Sequence, residues 1–199
     1  MSKNIIKTTQ FFIFLNLLSQ LFWVVHLNFP KIIRLNLEQL KLLITVIVII
    51  YIASGIFLGI YLFKKHYRLQ LITLIVHGTY YIFILYYWYQ LILSKIKFEN
   101  YKMAYYGLLV TSFLFGLSLL FSETRNKTWI KRSGFVILTI CMIDFSFELF
   151  PESEDNTVLQ FVKQGAGFIG GIVSVFWMLN FQEEIKSLPH ESNSLIDTP

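Results

Sequence analysis

Residues 130–181, IKRSGFVILTICMIDFSFELFPESEDNTVLQFVKQGAGFIGGIVSVFWMLNF, hold two apolar runs, about 130–150 and 158–181, joined by a proline and an acidic turn. Each run is close to the roughly 20 residues that an α-helix needs to cross about 30 Å of hydrocarbon. Pro151 ends the first run because proline has no N–H with which to continue a helix, and Glu152, Glu154 and Asp155 make the turn polar. The stretch reads as a transmembrane hairpin.

Four runs of similar length precede it, at about 11–29, 42–63, 69–93 and 104–121. The expected fold is therefore all-α: a polytopic transmembrane bundle of about six spans in three antiparallel hairpins, one domain over 1–181. Lys3 and Lys7 ahead of the first run imitate a secretory signal. No small-x-small cleavage site follows, and the run is longer than a signal's apolar core, so an uncleaved span is expected. The polar end, 182–199, with Pro189 and several Ser and Asn, reads as a disordered tail.

Composition agrees. Charged residues make up 15% and aromatic residues 18% of the chain, whereas a soluble domain carries about a quarter charged. The net charge of +5 sits in short clusters at span ends and forms no basic face, which argues against a nucleic-acid partner and for topology and anionic headgroups. Ten Lys and Arg fall on the side that holds both termini and seven on the other, so N-in and C-in placement in a plasma or inner membrane is expected. Tyr86, Tyr87, Trp88, Tyr89, Tyr101, Tyr105 and Tyr106 suit an outer aromatic belt, and Trp129 and Trp177 an inner one.

Polar stripes at helical spacing mark the faces that turn inward. The first span has Asn16, Ser19, Gln20, Trp23 and His26; the sixth has Gln160, Lys163, Gln164, Gly167, Gly171 and Ser174; the fifth has Cys141, Asp144 and Glu148. Asp144 and Lys163 lie at similar depth in the outer half of adjacent spans. A lone charge at mid-membrane costs about 2.5–3.5 kcal/mol, so the two are expected to pair, with Glu148 one turn further out and His26 at comparable depth. The pair reads either as a register-fixing ion pair or as a substrate, cation or proton site. His77, inside the third span beside Gly78, reads as an imidazole hydrogen-bonded across helices or as a proton relay. Gly55 with Gly59, and Gly167 with Gly171, form GxxxG pairs expected to pack helices within the protomer.

Catalytic machinery is not recognisable. No histidine pair has metal-binding spacing, and the chain has no P-loop, GxGxxG or nucleophile elbow, so neither a metal nor a cofactor is expected. The lone cysteine, Cys141, precedes Asp144 by three residues, with no histidine placed in sequence to activate it. These features point to an accessory, structural or regulatory membrane subunit that acts in the bilayer with a protein partner or as a homo-oligomer. The alternative is a small transporter or channel-like protein using the outer polar site of Asp144, Glu148, Lys163, Gln164, His26 and His77. A lipid-modifying enzyme is a third reading.

Overall fold

The computed structural model describes residues 3–28, 35–93, 95, 97–122, 128–149 and 157–187, and their side chains except at 23, 24, 26–28, 92, 98, 147–149 and 157–170. Among these residues the chain is six helices with no strand: α1 (Lys3–Asn28), α2 (Leu37–Lys64), α3 (Arg68–Ile92), α4 (Phe98–Leu120), α5 (Thr128–Leu149) and α6 (Thr157–Ser187). Four segments, Lys3–Phe22, Leu37–Lys64, Arg68–Leu91 and Glu99–Leu120, are long and apolar enough to cross a membrane.

The helices overrun the apolar runs. α1 starts at Lys3, well before residue 11, and α6 continues to Ser187, so residues 182–187 are helical where a tail was expected. Backbone hydrogen bonds do not depend on side-chain polarity, and a helix leaving hydrocarbon keeps its ladder through the headgroup layer. The remaining tail, 188–199, lies outside the described residues.

Local chemistry fixes two of the ends. Asn36 caps α2 in a capping box: its side chain accepts from the Gln39 backbone N–H at 2.8 Å, and the Gln39 side chain accepts from the Asn36 N–H at 3.0 Å. At the other end of α2, His66 has a φ of 61°. Its N–H donates to the Phe63 carbonyl at 3.1 Å, while the Tyr67 N–H donates to the Leu62 carbonyl at 2.9 Å. This is a Schellman turn, with histidine at the left-handed position that usually holds glycine. Tyr67, half-buried, packs on the core as the motif's apolar contact.

Each helix packs on its neighbour in the chain, and α6 packs on α1, which closes a ring. α2 has 28 residues and α3 has 25, so each is about 40 Å long, and the short link between them makes them antiparallel. The described core is concentrated at the end that holds the start of α1 and the end of α6. Ile6, Tyr61, Leu62, Leu119, Trp129, Ile130, Trp177 and Phe181 are all buried there. Trp129 and Trp177 meet edge-to-face at 4.3 Å, and Tyr61 stands edge-on to Phe181 at 4.8 Å. Six helices side by side leave axial space that only large rings fill, and aromatic edges and faces attract in this geometry.

α4 and α5 approach closely where a Cβ on Gly134 would stand 2.7 Å from the Gly116 carbonyl oxygen and the Leu120 nitrogen. Gly171 brings α6 against α1, its Cβ position 2.9 Å from Leu17 Cδ1. Gly55 and Gly59 differ from the expected tight contact. A Cβ on Gly55 would meet nothing within 4 Å, and one on Gly59 would lie in ordinary contact with Leu71 at 3.4 Å. The pair lines a groove between α2 and α3. Gly167 lies outside the residues with described side chains.

Candidate polar sites in the bundle

On α3, Gln70, Thr73 and His77 follow at i, i+3 and i+7 and so share one face. They meet α4. Gln70 Nε2 donates to the Ser118 carbonyl at 2.7 Å, and the Thr73 and Ser118 hydroxyls lie 2.8 Å apart. Six residues earlier in α4, the Ser112 hydroxyl is 3.2 Å from His77 Nδ1, while the imidazole stacks on Phe115 at 5.8 Å and 7° between planes. Ser112 also neighbours the buried Cys141 of α5, which lies one helical turn before the partly buried Asp144. A line of polar groups thus crosses α3, α4 and α5, linking His77 to the Cys141–Asp144 turn. Such groups need partners because a bilayer supplies no water to satisfy them.

The seam expected at Asp144, Glu148 and Lys163 is only partly in view. Asp144 is placed; Glu148, Lys163, Gln164 and His26 belong to α5, α6 and α1, but their side chains lie outside the described residues. From α1, the Gln20 side-chain oxygen is buried near Gly171, 3.8 Å from where its Cβ would stand. It has no hydrogen-bond partner among the described residues.

A second polar site lies at the opposite end, inside the aromatic core. The Tyr61 hydroxyl donates to Glu184 Oε1 at 2.5 Å, and Lys65 Nζ stands 3.7 Å from Glu184 Oε2 and 5.9 Å from the centre of the Tyr61 ring. The Glu184 side chain is only 14% exposed, so this carboxylate needs both partners. The adjacent Tyr67, in the turn between α2 and α3, has its phenol pKa pushed up by burial and then by the Glu184 charge. Sequence reasoning missed this site because Glu184 fell in the expected tail. A signal was present: the α6 stripe of Gly171 and Ser174 continues at the same spacing through Trp177, Phe181 and Glu184.

The fold thus defines a class, a helical bundle with four candidate membrane-spanning helices. No protein-family model matches the chain, and no curated protein or solved structure matches it. Among the described residues no three His, Cys, Asp or Glu side chains gather closely enough to hold a metal.

Proposed function

We propose that this chain is a six-span integral membrane protein, folded as three antiparallel hairpins with both termini on the cation-rich cytoplasmic side. In this reading it serves as an accessory or structural subunit that packs laterally against partner proteins. The observation that supports this best is where its polar groups go. Gln70, Thr73, His77, Ser112, Ser118, Tyr61 and Glu184 bond from helix to helix, and the groove found between α2 and α3 is apolar and opens sideways. Paired polar groups between helices give a rigid scaffold.

The line from His77 to Asp144 favours a second reading, a small transporter that carries a proton or cation through the bundle. The native single cysteine separates the two. In a scaffold, Cys141 in sealed vesicles stays unreactive to a membrane-impermeant maleimide from either side; labelling of Cys141 from either side sinks the scaffold reading and supports a water-filled path. A scaffold also migrates from its native membrane as a defined complex that Lys131→Glu/Arg132→Glu disrupts and Asp144→Asn leaves intact. An inert monomer in both backgrounds rules that out.

A further inference from the structure

Between α2 and α3 lies a groove of about 480 Å³, in the range of small-molecule sites and almost wholly apolar. Gly55, Gly59 and Gly78 form its floor, and the exposed Ile56, Phe63 and Ile75 stand along its walls. A Cβ on Gly55 or Gly78 would meet nothing within 4 Å, so the described helices leave this hollow unfilled. Along α2 it runs from Tyr51 to Phe63, about 18 Å at the helical rise. One leaflet of a bilayer is roughly 15 Å of hydrocarbon, so the groove spans a single leaflet. At its deep end the rings of Tyr51 and Tyr81, stacked at 4.1 Å, fill the space between the helices.

The shallow end is cationic. Lys64 prolongs the α2 wall, four residues after Ile60, and Arg68 prolongs the α3 wall, three residues before Leu71. Both are exposed, and among the described residues neither has an acidic partner, whereas the intervening Lys65 is paired with Glu184. The Schellman turn at His66 holds the two walls together beneath these cations. Apart from Tyr51, Phe63 and Thr79, its lining is aliphatic or glycine. An aliphatic hollow about one leaflet long that ends between two exposed cations matches an acyl chain below an anionic headgroup.

We propose that this groove seats one acyl chain of an anionic phospholipid, with the phosphate resting between Lys64 and Arg68. The site needs α2 and α3 to cross the bilayer and does not depend on the scaffold reading. The test uses the full chain in nanodiscs of phosphatidylcholine containing a minor share of phosphatidylglycerol, followed by extraction and counting of retained lipid by native mass spectrometry. The wild type is expected to retain one phosphatidylglycerol. Lys64→Gln/Arg68→Gln lowers its preference over phosphatidylcholine by about tenfold or more. Gly55→Leu, which fills the hollow from its floor, displaces both lipids. Equal retention of both lipids by the wild type, or wild-type retention in both variants, leaves only ordinary boundary lipid and overturns the proposal. So does a Gly55→Leu variant that keeps its lipid but loses a second copy or a co-purifying membrane protein. Circular dichroism checks that each variant is folded, and the Lys64/Arg68 pair decides the matter if Gly55→Leu is not.

Discussion

At the scale of single residues, the α2–α3 turn and the carboxylate beneath it offer the sharpest tests. His66 holds a left-handed conformation that costs an L residue about 1–2 kcal/mol, partly offset against glycine's extra unfolded-state freedom of roughly 0.5–1 kcal/mol. His66→Gly is therefore expected to stabilise the fold by up to about 1 kcal/mol, seen as a higher thermal midpoint in one detergent; a lower midpoint would mean that the imidazole makes a contact worth more than its strain. Tyr61→Phe goes the other way. It removes a donor from a nearly buried carboxylate, and hydrogen bonds to charged groups contribute about 1.5–3 kcal/mol. The midpoint should fall accordingly, and an unchanged value would show that Glu184 is held by its other partners. Tyr67 supplies a pH dependence. Its pKa is raised in the fold, so the neutral phenol is the favoured form. That contribution is complete below the ordinary tyrosine value near about 10 and is lost as pH climbs through the folded value. Tyr67→Phe should flatten the alkaline decline in stability without altering the curve at neutral pH.

Among the helices, the two glycine environments predict opposite outcomes for the same substitution. Gly134→Ala puts a methyl 2.7 Å from backbone atoms of α4, which no rotamer relieves, so the helices must part at a cost of about 1–3 kcal/mol. Gly55→Ala adds a methyl to open space in a helix interior, where alanine is favoured over glycine by up to about 1 kcal/mol. Thermal midpoints of the two variants should move apart, and a matching fall in both would show that Gly55 does carry a helix contact. The same contrast shows what the sequence made legible. Apolar length disclosed the helices, because crossing hydrocarbon sets a length that each run carries by itself. Spacing also proposes inward faces, and at Gly171 the backbone of α6 does lie against Leu17. GxxxG, by contrast, states only that a backbone can approach closely: Gly55 and Gly59 line an open groove, while Gly134, in no such pair, lies against Gly116. Which helix a stripe meets depends on side-chain shape across the whole ring, and no local pattern encodes it. Thus His77 with Ser112 and Tyr61 with Glu184 emerge only in three dimensions.

For the molecule as a whole, the decisive matter is how many of the six helices cross. Length and apolarity qualify α1 to α4, whereas α5 carries Lys131, Arg132 and Asp144, and much of α6 lies outside the residues with described side chains. Packing bears on the remaining two. α6 lies along α1, with Gln10 Nε2 donating to Gln182 Oε1 at 3.2 Å, and the Trp129–Trp177 pair ties α5 to α6 inside the same core as Tyr61. All six helices contribute residues to that one core, which argues for a common level. The charges on α5 are compatible with crossing: Lys131 and Arg132 stand in its first turns, within reach of headgroups, and Asp144 is only partly buried beside polar partners. In a Cys141→Ser background, then, Ser153→Cys between α5 and α6 should react with an impermeant maleimide from outside intact cells. Lys186→Cys, at the end of α6, should react only after permeabilisation. If both cysteines report the same side, α6 does not span and the chain closes its ring at the membrane surface; if Lys186→Cys alone reports outside, the whole threading is inverted.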